Sequence, residues 1–114
     1  MAPTGSTKMA EQRINLSSLG VDLATRSQGK EVRERITGEL SRLAEGDLLV
    51  VSFDGIGAMS PSFADECFGK LLLDLGRDGF SQKLRLVGAN ETVRSVVNAA
   101  MNNRLRSGRP SLSP

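Results

Sequence analysis

One run constrains this chain more than any other: Leu48-Leu49-Val50-Val51, which opens the segment Leu48 to Leu75, LLVVSFDGIGAMSPSFADECFGKLLLDL. Its four apolar residues do not alternate with polar ones. A strand reads this way when both of its faces are covered, as in a parallel sheet. Parallel neighbours need crossover connections, usually helical. The residues that follow supply one, because a short polar loop enters an amphipathic helix at Ser60-Pro61.

The flanking segments extend the pattern. Arg13 to Ser17 alternates and reads as a short strand, with Ile14 and Leu16 on one face. Leu19-Gly20 is a turn signal. Gly29 to Glu45 reads as a helix striped by Val32, Ile36, Leu40 and Leu43, with Gly46 as its C′ residue. Asp47 to Asp54 is the central strand. Pro61 to about Asp78 is a helix whose apolar face is Phe63, Ala64, Cys67, Phe68, Leu71, Leu72 and Leu75. Lys83 to Gly88 is a second buried strand. Asn90 caps a last helix, Glu91 to about Arg106, striped by Val93, Val96, Val97, Ala100, Met101 and Leu105. The order β-α-β-α-β-α predicts one small α/β domain, a mostly parallel sheet with helices packed on it. That domain is expected over residues 12–106. Residues 1–11 and 107–114 read as disordered tails, too polar to offset their ordering entropy.

Composition excludes several functions. A chain of 114 residues is one domain. It has no His, which removes the commonest general base and metal ligand. Its single Cys allows neither an intrachain disulfide nor a zinc set. Four Phe, with no Trp or Tyr, leave few rings to stack on bases, and a net charge of +2 falls short of a nucleic-acid patch. No apolar run has membrane length and no secretory h-region is seen, so a cytoplasmic protein is expected, away from membranes. No cofactor is expected. The glycines at 55, 57, 76, 79 and 88 match neither a P-loop nor a dinucleotide fingerprint. No metal is expected either, since Asp54 and Asp65 alone are too few ligands for a hard cation.

In parallel sheets, sites lie beyond the carboxyl ends of the strands. Here that edge carries Asp54 to Ser62 and Gly88-Ala89-Asn90. Ser60 is a natural N-cap and Pro61 a natural first helical residue. Asp65 and Glu66 suit the positive end of the helix dipole. Adjacent carboxylates on a helix diverge by about 100°, a poor acid–base pair. They read better as an acidic patch for an Arg-bearing partner. Arg26 is either solvated or crosses to the Asp54 or Asp65 region and fixes the loop. Cys67 lies inside the apolar stripe and reads as a small buried hydrophobe. Arg94, Arg104, Arg106 and Arg109 make the C-terminal part basic, as cations near a helix C-terminus do.

Several of these residues are shared with a known family. Leu19-Gly20, Leu23-Ala24-Thr25-Arg26, Val50-Val51-Ser52-Phe53-Asp54-Gly55-Ile56, Ser62-Phe63-Ala64-Asp65-Glu66 and Phe68-Gly69-Lys70-Leu71 resemble the STAS-like family called domain of unknown function 4325. The resemblance covers about Ile14 to Arg106. Its sharpest piece is SFADE after a strand ending in FDG. It implies a domain related to the STAS domains of anti-sigma factor antagonists. Those bind a histidine-kinase-like ATPase and are switched by phosphorylation of a Ser at the start of the helix after the central strand. Aligning Gly55-Ile56 with the antagonists' Gly-Val places Ser60 on their Asp position and Pro61 on their phosphoacceptor. Ser62 takes the third position and Phe63 replaces a Gly. The usual acceptor is therefore missing, and Ser62 and Ser60 are the substitute candidates for phosphorylation.

The resulting expectation is a non-enzymatic regulatory module that binds a protein partner, with a histidine-kinase-like ATPase as the implied class. The expected docking residues are Asp54, Gly55, Ser60, Ser62, Phe63, Asp65, Glu66 and Arg26. One alternative is a nucleotide- or anion-sensing domain using the helix starts at Ser60 and Asn90. Another is a basic nucleic-acid accessory protein using the C-terminal arginines. The oligomeric state is left open.

Overall fold

Residues 10–107 are described by the computed structural model. Three parallel strands, β1 (Glu11–Asn15), β2 (Leu48–Ser52) and β3 (Leu84–Val87), form one sheet in the order β1-β2-β3. Helix α1 (Arg26–Ser41) joins the first two strands. The second connection runs through α2 (Pro61–Ala64), a π turn (Asp65–Gly69) and α3 (Lys70–Lys83). Helix α4 (Glu91–Ser107) follows β3. Both connections step across the sheet in the same direction, so right-handed crossovers place their helices on one face.

The register explains the non-alternating run. Ile14, Val51 and Leu86 form one row, and Arg13, Val50 and Arg85 the next. Leu49, Val51 and Phe53 join a single core with Val32, Ile36 and Leu40 of α1 and Val93, Val97 and Ala100 of α4. Phe63, Ala64, Cys67, Phe68, Leu71 and Leu72 complete it. Phe68 lies with its ring 5.4 Å from that of Phe53. Leu48 and Val50 point the other way and are buried outside that cluster. Both faces of β2 are thus buried, as the run predicts, while the helical stripes of the described residues gather on one.

Several expected boundaries move. Strand β1 lies two residues earlier than Arg13 to Ser17, and Leu16 is buried in a 3₁₀ turn, Leu16–Ser18. The sheet reaches Ala10, whose carbonyl accepts from Leu48 N–H, so order begins before residue 12. Helix α1 starts at Arg26 because Thr25 Oγ1 accepts from Gln28 N–H at 3.2 Å, an N-cap the sequence reading passed over. It stops at Ser41, so Gly46 is not its C′ residue. Gly46 instead turns the chain into β2 with φ +90°. The remaining tail expectations, on residues 1–9 and 108–114, lie outside the described residues.

The largest change is in the helix expected over Pro61 to Asp78. It is interrupted twice. Gly76, at φ 76° and ψ 164°, breaks α3. Before that, Lys70 N–H bonds to Asp65 O and Cys67 O and passes over Glu66 O, which opens the π turn. Such single-turn bulges leave a carbonyl without its helical partner and recur at functional sites. Here Arg33 Nε takes up Glu66 O at 2.9 Å.

Candidate functional site

Ser60 organises the start of α2. Its Oγ accepts from Phe63 N–H at 3.0 Å and donates to Ala24 O at 2.6 Å. Its own N–H donates to Leu23 O at 2.9 Å. The segment before α1 is thereby pinned against the start of α2, and Thr25 caps α1 immediately afterwards. Arg26, the first residue of α1, is carried to the π turn by this arrangement.

At the π turn two adjacent carboxylates diverge and each has cations of its own, with Arg26 reaching both. Asp65 Oδ1 accepts from Arg104 Nε at 2.7 Å, and its Oδ2 accepts from Arg104 Nη2 and Arg26 Nη1, each at 2.8 Å. Glu66 Oε2 accepts from Arg33 Nη2 at 2.9 Å and Lys70 Nζ at 3.0 Å, and its Oε1 lies 3.5 Å from Arg26 Nη1. The bidentate Arg104 fork pulls the Asp65 carboxyl down to about 2, with Arg26 adding to the effect against a smaller upward push from burial. Burial pushes Glu66 up, but hydrogen bonds from Lys70 and Arg33 outweigh it and leave the carboxyl below its ordinary value. Cys67, between this cluster and the core, is fully buried, and burial pushes its thiol up.

Two glycines let these groups meet. A Cβ at Gly29 of α1 would stand 2.8 Å from Phe63 O and 3.0 Å from Glu66 Cβ. A Cβ at Gly69 would stand 2.8 Å from Arg104 Cγ and 3.0 Å from Asp65 Oδ1. Both contacts are too short for any larger residue without a shift, so α1 and α4 close on the π turn only because these positions lack side chains.

Beside Asp65 lies a groove of about 580 Å³ between the start of α2 and one flank of α4. Pro61, Val96, Ala99 and Ala100 form its apolar wall. Arg26, Ser62, Asp65, Ser95, Asn103 and Arg104 supply its polar groups. Ser62 is exposed and its hydroxyl makes no hydrogen bond among the described residues.

The expected docking residues therefore divide. Arg26, Ser62 and Asp65 line the groove, and Ser60 stands behind it as a doubly bonded cap. Phe63 does not offer a surface: its ring is fully buried because the α2 stripe faces the sheet. Glu66 is also buried, and the acidic patch expected of Asp65 and Glu66 is occupied by the chain's own cations. Asp54 and Gly55 lie apart, at the end of β2. Asp54 is exposed 3.9 Å from Arg13, a contact of little energetic weight, and Gly55 turns the chain at φ +83°. Asn90 caps α4 through Val93 N–H at 2.8 Å and ties the loop by donating to Ile56 O and Gly57 O.

Sequence reasoning missed Arg33, Lys70 and the α4 wall, and read Arg104 as a cation near a helix end or a nucleic-acid contact, not as the partner of Asp65. One signal was available for Arg104: it lies four residues after Ala100, on the side of α4 that the stripe already turned inward. Among the described residues no cluster of His, Cys, Asp or Glu is arranged to hold a metal, and no helix is long and apolar enough to cross a membrane.

Neither a curated protein nor a solved structure matches this chain. A family model does match, over residues 28–94, more than half of the 114 residues. That span takes in most of α1, strands β2 and β3, the π turn and the start of α4, while Arg26 and Arg104 fall outside it. With its parallel sheet, its one helical layer and this match, the chain belongs to the family described as the STAS-like domain of unknown function, DUF4325.

Proposed function

We propose that this protein is a non-enzymatic regulatory module that docks a protein partner in the groove between the start of α2 and α4. The observation that carries this reading is the groove itself. It joins an apolar wall to convergent polar groups on rigid helices, beside the loop-to-helix junction that follows the central strand. By family resemblance, a histidine-kinase-like ATPase is the first partner class to test.

The chemistry of the cluster supports a binding role over a catalytic one. Asp65 stays ionised through the neutral range and is held at both oxygens. Cys67 is sealed in the core and its thiol is raised by burial. The anion-sensing alternative is less well supported. Phe63 N–H and Val93 N–H, which would hold an anion at the two helix starts, are taken by Ser60 and Asn90. The nucleic-acid alternative needs a shared basic face. Arg104 instead points into Asp65, and Arg106 donates to Asn103.

The test is closure of the groove. Ala99 is exposed on α4, so Ala99→Trp should fold and fill the space. Binding of a purified histidine-kinase-like ATPase, or of any partner isolated with the protein, is expected to fall at least tenfold, about 1.4 kcal/mol. Gln82→Trp, far along the chain at the end of α3, serves as the control. Equal binding by Ala99→Trp and wild type would sink the proposal.

A further inference from the structure

The hydrogen bonds around the π turn indicate what kind of group the groove receives. The carboxylates have little capacity left. Asp65 already accepts three hydrogen bonds, and Glu66 accepts from Arg33, Lys70 and Arg26 while buried. An incoming Arg would find one unused lone pair, on Asp65 Oδ1, and no unpaired carboxylate. The cations do have capacity. Arg26 works through Nη1 alone, so its Nε and Nη2 make no hydrogen bond among the described residues. Arg104 uses Nε and Nη2 and leaves Nη1. A guanidinium carries five N–H donors, so both retain unused ones.

The charge count agrees. The groove lining holds two guanidinium groups and one carboxylate. The side chain of Arg26 is 55% exposed, so it can turn toward a ligand without first being uncovered. Ser62 adds a free hydroxyl on the opposite wall. Val96, Ala99 and Ala100 leave room for the aliphatic part of a side chain.

Resting on the docking reading, we infer that the groove takes an acidic segment of the partner, an Asp or Glu carboxylate held by Arg26 and Arg104 beside Asp65. This reverses the expectation of an Arg-bearing partner. Asp65 acts as the internal competitor. It keeps the two arginines aimed into the groove while the site is empty, and it shares them when a carboxylate arrives. The apolar wall covers the stem of the incoming residue, and Ser62 donates to its second oxygen.

The experiment is an NMR titration of the isotope-labelled full chain with an acetylated tetraglutamate amide, with tetralysine and tetraglutamine peptides as controls. Tetraglutamate alone should shift Ser62, Asp65, Ser95, Ala99 and Arg104, and added salt should weaken it. Arg26→Gln, on an exposed side chain that the fold does not need, should weaken it roughly three- to fivefold. Asp65→Asn, checked for folding by its own spectrum, should tighten it by a similar factor by removing the competitor. Tetraglutamate shifts away from the groove, no shifts at all, or unchanged affinity in Arg26→Gln would each overturn the inference. A partner lost on Ala99→Trp but displaced by tetralysine and not by tetraglutamate overturns the acidic occupant and leaves the docking reading standing. A partner indifferent to Ala99→Trp overturns the docking reading itself.

Discussion

The two flanks of the π turn use the same chemistry for different ends. On the α1 flank, Glu66 meets Arg33 and Lys70 with its side chain only 9% exposed, under a helix that approaches to Gly29. On the α4 flank, Asp65 meets Arg104 and Arg26 at the edge of an open groove. Residues next to each other in sequence thus build one closed lock and one accessible clamp. The difference is burial. A buried carboxylate must have every partner satisfied internally, because an unpaired charge there is costly. A partly exposed one, as Asp65 is, can leave donors on its partners for something else.

Removing the lock should have the largest effect. Glu66→Ala leaves Arg33, 18% exposed, without its carboxylate, and is expected to cost about 3 kcal/mol in urea unfolding. A loss under about 1 kcal/mol would show the α1 flank to be no more than a surface pair. Gly29→Ala tests the same flank through the backbone. Its Cβ would press on Phe63 O, which cannot swing aside, and about 1–3 kcal/mol should be lost. If Gly29→Ala is neutral, the close approach of α1 is not what holds the lock together.

The clamp should matter less for stability and show in its pH dependence. The Asp65 carboxyl lies lower in the folded chain than its ordinary value of 3.8. Its contribution is therefore complete above about pH 4 and is lost as pH falls toward about 2. Asp65→Asn should cost about 1–2 kcal/mol at neutral pH, and the gap from wild type should close across that acid window. A gap that stays constant down to pH 2 would show that charge is not the origin. Smallest of all, Arg26→Gln should change stability too little to measure, since its side chain is largely in water. Thermal unfolding would detect a larger loss, and that would make Arg26 a structural residue of the clamp.

Much of the scaffold was legible in the sequence. The Leu48 to Val51 run marked a strand buried on both faces, and Ser60, Pro61 and Asn90 marked two helix starts. Even the π turn left a trace. Phe63, Cys67, Leu71 and Leu75 repeat at intervals of four, as do Ala64, Phe68 and Leu72. Three such steps would carry a row about 120° around a straight α-helix. A wider turn partway along takes up part of that drift, so the strict spacing of four is its trace in the sequence. The site was less legible. Phe63 looked like a surface anchor in the loop-to-helix motif, yet it belongs to the stripe and is sealed inside. Asp65 and Glu66 looked like an open acidic patch because their cations come from distant positions.

What the sequence settled by itself was local. Helix starts, apolar stripes and the covered strand follow from neighbouring residues, because capping, rotation per residue and burial patterns act over a few positions. What only the tertiary structure decided was which charges meet. Asp65 and Arg104 are 39 positions apart, and Glu66 and Arg33 are 33 apart. Their pairing depends on how closely two helices cross at Gly29 and Gly69. That distance is set by packing against the whole core, and Coulomb energy depends steeply on it.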